Sequence, residues 1–317
     1  MSRVKVLRIT SVEPQPSSFA GLLSTLPLLT AVRKLEIGDI ETHQGQFTAL
    51  IQAISSSPMA STLRQLNLRG REETLALLEA LGPFKNLEEL SLELNAANRD
   101  PTAGDSLLLK PFLLGLSSTL QLLQIETNFV VLSPLFNALS ASPIQFQNLK
   151  SVSLFLPSSE SFADLQADAL HRFLLPYYDT LKELKLWFPQ RRTTEDWLAE
   201  VVKCKPRLSS LRTLSIIPPT FSKETCVDAL IALIPHLKLS TLLVLSCTLP
   251  DKVATKLIKV LATTNLGYLE MGVTSLSVSF LDLLASKLPQ LDKLNLNISV
   301  LVGSEEVYIP FSLYFYS

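Results

Sequence analysis

Histidine, cysteine and serine are the residue types in this chain best suited to acid–base, metal or nucleophilic chemistry, and their spacing supports none of the three. His43, His171 and His236 lie far apart, without the HExxH pattern that sets two imidazoles on one helical face for zinc. Cys204, Cys226 and Cys247 are 22 and 21 residues apart and form no CxxC pair, so reduced core thiols are expected rather than a zinc cluster or disulfides. Asp168 and His171 stand one helical turn apart, but no GxSxG elbow supplies a nucleophile to go with them. Ten glycines are scattered without GxGxxG or GxxxxGK[ST], the loops that cradle phosphate with backbone amides. No catalysis, cofactor or metal is expected.

Charge narrows the partner class. With 28 Lys+Arg against 29 Asp+Glu and a pI near 6.3, the chain lacks the basic excess that draws nucleic acid or anionic membrane. A mean hydropathy of +0.30 is high, yet apolar stretches such as 230–234 are soon broken and none approaches the roughly 20 residues of a spanning helix. The first residues run straight into a strand-like pattern with no signal-peptide core, so an intracellular location, cytoplasmic or nuclear, is expected. On that expectation the triplet Asn297-Ile298-Ser299 is a coincidental glycosylation pattern.

The elements that would position any site come from a repeat. Aliphatic residues occupy positions 1, 4 and 6 of eleven hexamers, which begin at Val4, Val32, Leu63, Leu87, Leu120, Leu149, Leu181, Leu211, Leu239, Leu266 and Leu291. Successive fourth positions are 24 to 33 residues apart, room for one strand and one helix. Helical stripes fall between them: Leu132, Leu135, Phe136 and Leu139; Trp197, Leu198, Val201 and Val202; Val227, Leu230, Ile231 and Ile234. Helix stops include Gly82-Pro83 after the leucine run from Leu75 to Leu81, and Pro206 after the Trp197 stripe. Each unit has an apolar strand edge and an apolar helix stripe that only stacking can bury. Strands stack about 4.8 Å apart and helices about 10 Å, so the expected α/β fold is a right-handed horseshoe solenoid. About eleven strand-helix repeats place a parallel sheet on its concave side. It spans residues 1–301, leaving 302–317 as an apolar tail or cap.

This pattern resembles the leucine-rich-repeat superfamily, in which Asn, Cys or Thr follows at position 9 and an aliphatic residue at position 11. Cys247 with Leu249, Thr274 with Leu276, Asn128 with Val130 and Ser299 with Leu301 fit, and Asn95 keeps the polar position alone. Pro157, Pro189 and Pro219 take that place in three consecutive turns, either as rigid strand ends or as interruptions of the loop hydrogen-bond ladder. Repeat length and spacing are most similar to ribonuclease-inhibitor-like and fungal F-box-associated types. The resemblance implies the substrate-recognition array of an F-box-type ubiquitin-ligase receptor or of a relative lacking the F-box. No F-box pattern precedes Val4, and if one lies upstream in the native product, a cullin-ligase adaptor is a second expected partner. The alternative it implies is a GTPase activator similar to those of Ran, with Arg69, Arg71 or Asn128 at a loop edge.

Strand alternation then assigns the binding face, since positions 4 and 6 point into the core and 3, 5 and 7 away from it. The first five turns show Arg8, Lys34, Glu36, Gln65, Asn67, Arg69, Glu89, Glu93, Gln124 and Glu126, a solvated set leaning acidic. In turns six to nine position 7 reads Phe155, Trp187, Ile217 and Leu245, with Leu243 at position 5 and Glu183 and Lys185 as a charged rim. That is an interface composition, and these seven residues are the expected site for a protein partner on the concave face. The apolar segment 307–316 either covers the patch, caps the last strand or continues into further sequence.

Overall fold

The computed structural model describes residues 4–10, 16–38, 44–70, 78, 84–94, 105–127, 132–155, 163–187, 191–217, 224–301 and 311–316. Eleven strands coincide with the eleven hexamers: β1 (Val6–Thr10), β2 (Lys34–Gly38), β3 (Gln65–Gly70), β4 (Glu89–Leu94), β5 (Leu122–Thr127), β6 (Ser151–Phe155), β7 (Glu183–Trp187), β8 (Thr213–Ile217), β9 (Thr241–Leu249), β10 (Tyr268–Leu276) and β11 (Lys293–Leu301). A twelfth, β12 (Phe311–Tyr316), lies in the apolar tail. Packing divides the chain into two compact units, Met1–Pro157 and Ser158–Ser317.

In the first unit β1 to β6 pair in chain order, all parallel, and the repeat is in register residue for residue. Leu7, Leu35, Leu66, Leu90, Leu123 and Val152 form one row of Cα partners and Ile9, Ile37, Leu68, Leu92, Ile125 and Leu154 the next. From β2 onward both rows are buried, which is the condition that fixes a parallel register: a slip of one residue would turn every leucine to solvent. In the second unit β7 to β11 repeat the arrangement, with Leu184, Leu214, Leu242, Leu269 and Leu294 in one row. There the last strand, β12, runs antiparallel to β11, from Lys293↔Tyr316 to Ile298↔Phe311. The tail therefore supplies a cap to the outer edge of β11, which would otherwise present a row of unpaired amides and carbonyls.

Strands β2 to β6 and β8 to β11 begin with a recurring fork. The backbone N–H groups at hexamer positions 2 and 3 both donate to the position 2 carbonyl of the preceding turn, as in Arg33 and Lys34 to Lys5, Glu88 and Glu89 to Arg64, and Ser240 and Thr241 to Arg212. Side chains extend the same tie: Thr62 Oγ1 donates to the Val32 carbonyl at 2.9 Å, Asn86 Nδ2 to Ser61 at 2.6 Å and Asn148 Nδ2 to Ser118 at 2.7 Å. At the far end of β10, Thr274 Oγ1 donates to the Leu249 carbonyl at 3.2 Å, the role expected of a polar residue at position 9.

Helices Ser133–Ser140, Ala163–Leu174, Arg191–Lys203, Glu224–Leu233, Asp251–Leu261 and Val278–Lys287 alternate with the later strands. Their buried faces match the sequence stripes: Leu135, Phe136 and Leu139 in the first of these, Trp197, Leu198 and Val201 in the third. In Glu224–Leu233 Val227, Leu230 and Leu233 are buried and Ile231 is half-buried; Ile234 of the stripe is buried as well, in the 3-10 turn Ile234–His236 that follows the helix. Pro206 falls in a second such turn, Lys205–Leu208, directly after the helix it was expected to end. Ser277 caps the last helix by accepting the Phe280 N–H on Oγ at 3.2 Å. Ser277→Ala is expected to cost about 1 kcal/mol in urea unfolding, whereas Ser277→Asp keeps the acceptor and most of the stability.

His171, on helix Ala163–Leu174, is buried and shares a 3.1 Å hydrogen bond between Nδ1 and the Tyr178 hydroxyl. Burial holds its pKa below the ordinary 6.5, against the opposing pull of Glu200 and Asp168 and with help from Lys203. Burial likewise pushes the Tyr178 phenol up. Because the unfolded chain takes a proton at His171 before the folded one does, stability is full above pH 6.5 and falls as pH drops toward the folded pKa. His171→Gln is expected to flatten that part of the pH dependence between pH 7.5 and 5.5 in denaturant titrations; an unchanged profile would place its origin elsewhere.

Candidate functional site

The sheet face that carries positions 3, 5 and 7 differs between the units. In the first it is ionic. Glu36 is shared by Arg8 and by Lys34 at 2.8 Å, and these two cations, Arg8 above all, hold its carboxyl down to about 2. Arg69 pairs with Glu93 at 2.6 Å, and the neighbouring Glu126 is pushed upward by burial first and by Glu93 second. Such exposed pairs contribute little stability each and mainly order the surface. Arg69, expected at a loop edge for GTPase activation, is thus engaged by a carboxylate; Arg71 and Asn128 lie outside the described residues. Phe155 ends β6 in this unit, half-buried and in register with Glu126.

The second unit carries the other expected contacts. Trp187 ends β7, is 40% exposed, and lies opposite Ile217 of β8. Glu183 and Lys185 precede it on the same strand face and pair with each other at 2.7 Å. The backbone of Ile217 is described and its side chain is not. Leu243 and Leu245 are both half-buried on β9.

Position 5 forms an unbroken row in this unit: Lys185, Ser215, Leu243, Glu270 and Asn295 are successive Cα partners across β7 to β11. Leu245 stands differently from its expected place in the position 7 column. The β8–β9 ladder ends at Ile216↔Val244, and the β9–β10 ladder jumps from Val244↔Met271 to Thr248↔Gly272. Leu245, Ser246 and Cys247 are the bulge between these pairs, so Leu245 is displaced from strand register, a local kink that hexamer spacing does not show. The prolines 157, 189 and 219 and the side chains of Cys226 and Cys247 lie outside the described residues.

Sequence reading missed a polar cluster on the same face. Tyr268 Oη donates to Glu270 Oε2 at 2.6 Å and Asn295 Nδ2 to Glu270 Oε1 at 2.8 Å. The strand alternation of the last two hexamers places these side chains there, but nothing in their local sequence says that they converge on one carboxylate.

Among the described residues no group of three His, Cys, Asp or Glu side chains could hold a metal ion, and no helix is long and apolar enough to cross a membrane. No family model and no curated protein matches the chain.

Proposed function

We propose that the chain is a non-catalytic protein-interaction scaffold, a right-handed α/β solenoid of the leucine-rich-repeat type that binds a protein partner on the face opposite its core rows. One observation carries this reading: Trp187 stands 40% exposed at the end of a strand whose two inward residues, Leu184 and Leu186, are buried, beside the backbone of Ile217 and one ion pair. A tryptophan held partly in water at a strand end beside an ion pair has the composition of an interface anchor rather than of a core residue. Within the same unit the half-buried Leu243, at position 5 of β9, adds apolar surface. In the receptors that this repeat pattern resembles, that face holds the substrate of an F-box-type ubiquitin ligase, and we assign the same class of role to this chain.

Affinity purification on the wild-type chain and on Trp187→Ala in parallel, with mass-spectrometric identification, tests the reading. A set of proteins captured by the wild type and lost from the variant supports it, and co-capture of a cullin-ligase adaptor extends it to the receptor role. Identical captures from both chains would overturn it.

A further inference from the structure

The strand row that contains Leu243 continues into a preorganised carboxylate. Glu270, the register neighbour of Leu243, receives one neutral donor on each oxygen, Tyr268 Oη at 2.6 Å and Asn295 Nδ2 at 2.8 Å. It has no cationic partner among the described residues, in contrast to Glu183 of the same unit, which pairs with Lys185. A carboxylate accepts about four hydrogen bonds, so two sites remain open. The orientation of the Asn295 amide is set by its donor bond, which leaves Oδ1 at the other end. Asn295 is only 6% exposed and that oxygen has no hydrogen-bond donor.

We propose that this cluster receives a lysine or arginine side chain of the protein partner. The cation sits on Glu270 and the apolar stem lies on Leu243. An ammonium or guanidinium supplies several donors at once, which matches the two open carboxylate sites; an anionic or purely apolar group matches neither. Tyr268 and Asn295 are positioning residues here, holding the carboxylate before the cation arrives. The assignment rests on the reading of this face as a protein-binding surface, and it adds the chemistry of one contact: a basic residue set beside aliphatic or aromatic ones.

The test is a random dodecapeptide display library selected on the full chain. Expected are peptides in which Lys or Arg adjoins an apolar residue. The best of them, made synthetically with a fluorescent label, should bind at least tenfold more weakly to Glu270→Gln and to regain affinity for Glu270→Lys when its basic residue is replaced by glutamate. Circular dichroism and urea unfolding establish that the variants fold. Peptides that need Trp187 but show no basic enrichment and ignore Glu270→Gln would overturn this contact and leave the scaffold reading standing. Failure to select any peptide that depends on Trp187 would overturn both.

Discussion

Trp187→Ala should weaken binding of the partner by roughly 2 kcal/mol or more, about thirtyfold in Kd, while the chain stays folded in the absence of urea. The asymmetry follows from where the side chain stands. Trp187 is the last residue of β7 and 40% exposed, so its removal takes part of its packing from the folded state but opens no closed cavity in the core. On binding, by contrast, its remaining surface would be desolvated against the partner together with that of its neighbours. Titration calorimetry with the captured partner, paired with urea unfolding, separates the two effects; a folded variant with unaltered affinity would remove Trp187 as the anchor.

The chain's other tryptophan should behave in the opposite way. Trp197 is 0% exposed on helix Arg191–Lys203, which packs between helices Ala163–Leu174 and Glu224–Leu233. Trp197→Ala removes a large buried side chain that its neighbours cannot collapse to replace, and is expected to cost about 3–5 kcal/mol. The urea midpoint should fall sharply with little change in slope. Because the two residues differ in environment, fluorescence distinguishes them: the emission lost with Trp187→Ala should be the red-shifted, solvent-quenchable part, and that lost with Trp197→Ala the blue-shifted part. A small stability loss at Trp197 would mean that the three-helix packing relaxes around the cavity far more than a close-packed interior allows.

The strand positions were legible because a parallel strand with one buried face must repeat its apolar residues at an interval of two. Leu90 and Leu92 or Leu214 and Ile216 can be read as inward without knowing what they touch, and the register rows follow once neighbouring hexamers align. The helix stripe at Ser133–Ser140 was legible for the same reason, a period of 3.6 against a single core. The closing 3-10 turn at Ile234–His236 was less so, because it depends on where the chain must bend back to begin β9. Of the site, the exposure of Trp187 could be anticipated from its odd-numbered place in the hexamer.

What the sequence by itself determined, then, is periodic: eleven parallel strands, their inward rows, and which side chains are offered on the other face. What only the tertiary structure decided is not. The bulge at Leu245 arises where two ladders of different length meet on β9, and the convergence of Tyr268 and Asn295 on Glu270 joins residues 25 positions apart through strand stacking. The antiparallel seating of β12 on β11 pairs a segment outside the repeat with an otherwise open edge. Each of these depends on contacts between turns, and the free energy of such contacts is a property of the stacked chain, not of any one repeat.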